Sequence, residues 1–462
     1  MSFPKYAQYK ESGAEWLPEV PVGWDVLHLR SYANGSPNSF IDGDWIEAPF
    51  ITDEGVRLIQ TGNIGIGHYK EQGFRYVSPE TFTKLHCTEV APGDVLICRL
   101  AEPVGRACIA PDLGGKCLTS VDVCIVKIAH DRSPEFLTYF LSSRQYLQFM
   151  EAVARGSTRQ RVSRSFLGSV RVPVPTFTEQ TQIAQFLDHE TAKIDTLIHE
   201  QKRLIELLKE KRQAVISHAV TKGLDPDVPM KDSEVEWLGE VPAHWNVVHF
   251  RRICSLSQGL QIPQSERFHS PDEGRLPYIT IRSLNSKADE SSDEYVYKPS
   301  KRVVCHKDDI LMARTGATGQ VVTNVEGAFH NNFFKVNYNS LRVQKEFFVH
   351  LLTAKELKSH LLMLAGTTTI PDLNHGEFLG TKVGLPSIDE QQKISQHCFI
   401  QSDRYSGLVD TASEQISLLQ ERRSALISAA VTGKIDVRGW LPPADESAFD
   451  EEVRQAVLEA EA

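Results

Sequence analysis

The chain has 462 residues, with 60 acidic against 50 basic side chains and a formal net charge of −10; it is too long for one ordinary core, and as a total the charge opposes a protein that coats nucleic acid over its whole surface. Hydrophobic residues make up 41%; there is no run of about 18 apolar residues to span a membrane, and the start, MSFPKYAQYKESGAEW, lacks the apolar stretch of a secretory signal. The eight cysteines stand singly, without a CxxC pair, which points to reduced thiols in a cytoplasmic protein rather than to a zinc knuckle, a redox pair or a disulfide framework.

In chain order, the first marked stretch is EWLPEVPVGWDVLHLR, Glu15 to Arg30. Two indoles and a proline suit a packing anchor where the chain joins a domain. Short β-rich runs follow, including Val95–Cys98 and Val121–Ile128, and a helical stretch from Pro134 to Val153. Strands preceding one or two helices make an α+β domain. Glu151 to Val172 carries five arginines and one acid, a local basic patch that matters more for binding than the net charge. Pro175 ends the domain. From Glu179 to Thr221 there is neither Gly nor Pro, and Ile183, Leu187, Ile194, Leu197, Leu204, Leu208 and Val215 recur at gaps that make one helical stripe. Such a helix is roughly 65 Å long. It cannot bury its stripe against one compact core and needs a second long helix.

The same order then repeats. EWLGEVPAHWNVVHFR, Glu236 to Arg251, matches the first lead-in motif at 10 of 16 positions. Strand-like runs at Ile310–Ala313 and Phe333–Val336 and a helical stretch at Lys345–Leu364 precede Pro386. Asp389 to Asp436, laid ungapped on Thr178 to Asp225, is identical at 17 of 48 positions, among them Glu179-Gln180 with Glu390-Gln391 and Ser217 with Ser428. Polar matches of this kind mark a duplicated segment rather than a shared hydrophobic period. The domains expected are therefore 1–175, a helical spacer 176–223, a second domain 224–386, a second spacer 387–434 and an acidic tail 435–462.

Two diverged domains, each introduced by EWLxEVPxxW and each followed by a helix that opens with EQ and closes near A-x-I-S-x-A-V-T, resemble the specificity subunit of Type I restriction-modification enzymes. The resemblance covers the chain from about Lys10 to Asp436. It implies two tandem α/β target-recognition domains separated by two long helices packed as an antiparallel coiled coil about a pseudo-twofold axis. Each domain would read one half of a bipartite double-stranded DNA target. The helices would set the gap and dock two modification (adenine methyltransferase) subunits, with two motor-nuclease restriction subunits joining for cleavage. S-adenosylmethionine, ATP and Mg would be bound only by those partners, and this chain would hold no cofactor, no metal and no catalytic residue.

Base edges in the major groove are read by Arg for guanine and by Asn or Gln for adenine, while phosphates take Arg, Lys and hydroxyls. In the first domain the candidates are Arg155, Ser157, Thr158, Arg159, Gln160 and Arg161, with Gly156 permitting close approach. Arg99 and Arg106, flanking a Glu-Pro-Val-Gly turn, and Asn63 are added, although an Asn in such a turn often caps its own backbone. In the second domain they are Arg314, Thr315, Thr318 and Gln320 of the RTGATGQ turn, then Gln258, Gln261 and Gln264, and Thr367, Thr368 and Thr369 after Gly366. Asn331, Asn332, Asn374 and His375 are further possibilities. The alternative for each group is a solvated or self-capping loop. No G-K-S/T follows RTGATGQ, so it is not a nucleotide-binding P-loop.

Neither N-P-P-Y nor F-x-G-x-G occurs, nor do nuclease or motor motifs. His28 and His249, matched between the repeats, read as packing or hydrogen-bonding residues rather than general bases. Two rivals remain: a coiled-coil scaffold protein without DNA binding, which leaves the paired β-rich domains unexplained, and an enzyme lacking familiar motifs, which predicts activity of the lone chain.

Overall fold

A computed structural model describes residues 3–154, 160–285, 294–366 and 371–441. The chain divides into two compact units, Met1–Gln201 with Glu414–Ala462, and Lys202–Ser413. The fold class is α+β as expected, and the two long stretches are single helices, Phe177–Lys222 and Ile388–Val431. Each unit holds one domain, the start of the helix that follows that domain, and the end of the other long helix. In each unit the two helix pieces run antiparallel. In the first, Arg423 reaches Asp195 with both guanidinium edges, at 2.9 and 3.1 Å. In the second, Arg212 Nη1 donates to Ser406 Oγ at 3.2 Å.

The apolar stripe is buried unevenly. Ile183, Leu187, Ile194 and Ile198 of the first helix are buried, as are Ile216, Ala219 and Val220 near its end, whereas Leu204, Ile205 and Leu208 between them are only half-buried. The ends pack into the domain cores, Ile183 and Leu187 in the first and Ile216, Ala219 and Val220 in the second.

Both domains are built on one plan. In the first, a sheet has the order Phe40–Asp42, Val123–Val126, Val95–Cys98, Ala107–Ile109; in the second the order is Cys254–Gln258, Phe333–Tyr338, Ile310–Ala313, Val321–Val322. The central strands are buried along their whole length in both, at Val95–Cys98 and Ile310–Ala313. A second small sheet pairs Cys117–Thr119 in parallel with Val56–Ile59, and Gly327–Phe329 in parallel with Arg275–Ile279. The helical stretches are each broken in two: Pro134–Leu141 and Arg144–Ala154, Lys345–Thr353 and Lys355–Leu364.

The lead-in motif and the last strand of each domain are clamped together. Asp25–His28 pairs antiparallel with Arg171–Val174, and Asn246–His249 with Lys382–Leu385. His28 and His249 do what packing residues do here: each Nδ1 lies 2.9 and 2.8 Å from the carbonyls of Ser169 and Gly380 respectively. Trp24 and Trp245 are fully buried in the two main cores, which also hold Phe136 and Phe186 in one and Phe348 and Phe250 in the other.

The polar residues shared by the long helices explain their own repetition. Gln180 accepts from Ser133 N at 2.9 Å and donates to Pro175 O at 2.8 Å; Gln391 accepts from Gln344 N at 2.8 Å and donates to Pro386 O at 3.0 Å. Each glutamine thus satisfies the start of a domain helix and the turn into its own helix, groups that would otherwise be buried without partners. Ser428 Oγ accepts from Arg144 N at 3.2 Å, and Ser217 Oγ from Lys355 N at 3.0 Å. The end of each long helix therefore caps a short helix in the domain that precedes the other long helix.

Candidate nucleic-acid interface

The arginine-rich segment of the first domain meets the end of the central strand. Ala101 N donates to Gln160 O at 3.1 Å and Val162 N to Arg99 O at 3.1 Å, so Gln160, Arg161 and Arg99 come together. Gln160 and Arg161 are exposed. Arg155, Ser157, Thr158 and Arg159 lie outside the described residues, as do Thr367, Thr368 and Thr369 of the second domain. Arg99 is buried, 3.0 Å from Asp42 Oδ1, and donates to the carbonyls of Val162 and Val121 at 3.2 and 2.6 Å. Arg161 Nη2 stands 2.9 Å from Asp122 Oδ1. A cavity of about 520 Å³ lies over these groups, lined by Asp42, Arg99, Arg161 and Arg164. Arg164 and the two aspartates were not among the residues expected from sequence, because nothing in the linear order brings residue 42 to residue 161.

Two residues proposed from sequence have no donor facing solvent. Arg106 is buried and donates to four carbonyls, Ile64, Leu100, Pro103 and Thr61, at 2.7 to 3.0 Å. Asn63 is buried, accepts from Gln60 N at 2.8 Å and donates to the carbonyls of Lys70 and Gln72 at 2.9 and 2.7 Å. Their polar atoms are committed to holding the turn at residues 60–72 against the sheet, so the geometry gives them to the fold rather than to a ligand.

In the second domain Arg314 ends the central strand and grips Asp372 with both edges, Nε at 2.8 Å and Nη2 at 2.7 Å. That fork holds the Asp372 carboxyl below the usual carboxylate range. Thr318 is buried, donating to Arg314 O or Pro371 O, and so acts inside the turn. Thr315 and Gln320 are half-buried. Gln258 and Gln261 are exposed and converge on Asn331: Gln258 Nε2 reaches Asn331 O at 3.4 Å, and Asn331 Nδ2 donates to Gln261 Oε1 at 2.7 Å. Gln264 is exposed, and Asn374 caps the helix His375–Gly380 through Glu377 N at 2.9 Å. His375 packs edge-on to Phe334, and burial lowers its pKa. The surface is one of arginine in the first domain and of carboxamides in the second.

Among the described residues no group of three or more His, Cys, Asp or Glu is placed to hold a metal, and no helix is long and apolar enough to cross a membrane. The described cysteines are all free, and burial pushes the Cys108 and Cys124 thiols up to about 12, which leaves them protonated and poor nucleophiles.

A family model for the Type I restriction modification DNA specificity domain matches this chain twice, over residues 51–207 and 242–399. The chain belongs to that family. Two DNA specificity domains in one chain make it a specificity subunit of the type I restriction-modification class. It is similar to the MjaIX type I restriction enzyme specificity subunit of Methanocaldococcus jannaschii, 24% identical over 452 residues covering 93% of this chain and 97% of the relative. It is also 24% identical to the EcoBI specificity subunit of Escherichia coli, over 73% of each chain. Among solved structures, the specificity-subunit fold is shared with the HsdS subunit from Thermoanaerobacter tengcongensis, at a TM-score of 0.52 and 14% identity, covering 90% of this chain and 98% of that one. A chain from a structure of type I R-M complex assembly and conformational transition aligns at a TM-score of 0.59 and 15% identity, over 89% and 98%. The scaffold reading without DNA binding finds no support in these likenesses.

Proposed function

We propose that each domain of this specificity subunit reads one half of a bipartite double-stranded DNA target, with the antiparallel helices fixing the unread gap. One observation carries this reading: two domains of identical plan each present a polar strand end, and each is bolted to the start of one long helix and the end of the other. Dimeric DNA readers with two recognition elements likewise recognise two half-sites at a spacing set by protein geometry. The first domain offers Arg161 and Arg164 with Gln160, and the second Gln258, Gln261 and Asn331. Contact by the residues at 155–159 and 367–369 belongs to the same proposal.

Catalysis falls to partners. Two modification subunits would dock on the helices, where Phe399, Ile400, Leu408 and Leu418 are exposed apolar side chains. Two motor-nuclease subunits would complete the cutting complex in the cytoplasm. S-adenosylmethionine, ATP and Mg would be bound by those subunits and not by this chain. A net charge of −10 fits a chain that shares phosphate contacts with partners closing around the duplex. Alone it should bind DNA weakly and lose it steeply with salt.

The experiment is co-expression with the modification subunit of the same genome in a host lacking DNA adenine methylation, followed by genome-wide mapping of methyladenine. A two-part motif with a constant gap is expected. Tight sequence-specific binding by the lone chain at physiological salt would contradict the shared-contact account.

A further inference from the structure

The two domains carry a four-position polar box at the same backbone address, with different side chains in it. One of the addresses follows from strand register and three from backbone hydrogen bonds. In the first domain Cys98 pairs with Val123, and the next residue, Cys124, pairs with Asp42. In the second, Ala313 pairs with Phe333, and Phe334 pairs with Gln258. Gln258 therefore stands where Asp42 stands. Arg99 N donates to Asp122 O at 2.8 Å and Arg314 N to Asn332 O at 2.7 Å, which equates Arg99 with Arg314 and Asp122 with Asn332. Val162 N donates to Arg99 O and Leu373 N to Arg314 O, which sets Asp372 at the address of Arg161.

One member is the same in both boxes: the arginine that ends the central strand. In both it is held by an acid, but from different addresses, Asp42 in the first domain and Asp372 in the second. Where that arginine takes Val121 O in the first domain, the Gln258 amide takes the equivalent Asn331 O in the second. The first box is charge-rich, with two arginines and two aspartates; the second has replaced one aspartate by Gln258 and the other by Asn332.

The first box is held by two ion pairs, Arg99 Nε with Asp42 Oδ1 at 3.0 Å and Arg161 Nη2 with Asp122 Oδ1 at 2.9 Å. Asp42, Arg99 and Arg161 line the cavity of about 520 Å³. Arg161, with 44% of its side chain exposed, is the member able to leave its acid and reach outward to a ligand edge.

We propose that this box is the specificity-determining site of each domain, Arg161 reading a guanine in the first half-site and Gln258, with Asn332, reading an adenine in the second. The constant arginine is a positioning residue, holding the strand end while the other three addresses vary. Arg matches guanine O6 and N7, and Gln or Asn matches adenine N6 and N7. The inference rests on the reading that each domain binds one half-site.

The test uses the full chain co-expressed with its modification subunit, as wild type, Arg161→Gln, Arg161→Lys and Gln258→Ala, with methyladenine mapped in each. Both substituted residues are exposed, and co-purification with the modification subunit checks assembly. Arg161→Gln should reduce preference at one guanine of the first half-site by roughly 5- to 150-fold, leaving the second half-site and the gap as they were. Arg161→Lys keeps the charge, loses the planar fork, and should lose the same preference. Gln258→Ala should relax one A·T position of the second half-site alone. An unchanged motif in assembled variants overturns the proposal. So does a uniform loss of methylation without change of base preference, which would make Arg161 a phosphate anchor. A wild-type chain that yields no two-part motif overturns the half-site reading itself, and the inference with it.

Discussion

Trp24 Nε1 donates to Glu179 Oε1 at 3.0 Å, and 221 residues later in the lead-in motif Trp245 Nε1 donates to Glu390 Oε1 at 2.9 Å. In each unit the indole from the start of the domain is thereby tied to the first turn of the helix that leaves it. Tyr6 adds a second donor to Glu179, at 2.7 Å, and burial, with that bond, raises the Tyr6 pKa well above its ordinary value. Glu179→Ala strands both donors. The cost should be about 1–3 kcal/mol for each group left buried and unsatisfied, read as a lowered denaturant midpoint. Glu390→Ala should do the same through the buried Trp245; His244, with 53% of its side chain exposed, can turn to water and adds little. A midpoint unchanged in both variants would show that the indoles are held by packing alone.

Ser217→Ala and Ser428→Ala remove the side-chain acceptors for Lys355 N and Arg144 N. Each should cost about 0.5–2 kcal/mol, as loss of a helix cap does. Hydrogen exchange should localise the effects: faster exchange at Lys355–Leu364 for the first variant and at Arg144–Ala154 for the second. The reverse assignment would contradict the capping described here.

Arg106→Ala should cripple folding and leave base preference untouched in whatever fraction folds. Four carbonyls, one of them fully buried, lose a donor at once, and the destabilisation expected is about 3 kcal/mol or more. A stable, soluble Arg106→Ala protein with an altered methylation motif would make Arg106 a reader after all.

Asp372 should contribute to the acid limb of stability. Its folded-state pKa is depressed by Arg314, so its contribution is fully present above the ordinary unfolded carboxylate value of about 3.9 and is lost as pH falls through the depressed folded value. The side chain is 53% exposed, which keeps the effect below about 1 kcal/mol. Comparing urea midpoints of the wild type and Asp372→Asn, the difference should be constant near neutrality and vanish as pH falls through the depressed folded value. A difference that grows on acidification has the wrong sign for this pair.

The spacer account makes a length prediction. One heptad inserted at matching points of both long helices adds about 10 Å, or roughly three base pairs of DNA. Both half-sites should survive with a longer gap between them; an unchanged gap would remove the helices from that role.

Much of this architecture is legible in the sequence because duplication prints it twice. The helices, the lead-in motifs and the EQ openings repeat, and a repeated polar residue such as Gln180 or Ser217 marks a hydrogen bond made twice. The site is less legible. Arg99, Arg106, Asn63 and Thr318 look like readers because they are donors in Gly-containing turns, but a sequence shows a donor and not the carbonyls that converge on it. The box was hidden for a different reason: Asp42, Arg99, Asp122 and Arg161 are brought together only by strand register and backbone hydrogen bonds, and their counterparts differ in three of four residues. The helical stretches at 134–153 and 345–364 read as continuous because the breaks at Ser142–Ser143 and Ala354 contain neither Gly nor Pro.

The central claim is that each domain independently specifies one half of a two-part target. Replacing Gly23–Pro173 by the corresponding segment of another specificity subunit, and mapping methyladenine in a host free of other adenine methylation, tests it most directly. The account predicts a motif in which one half changes to that of the donor while the other half and the gap stay constant. A motif in which both halves change, or neither does, would contradict it.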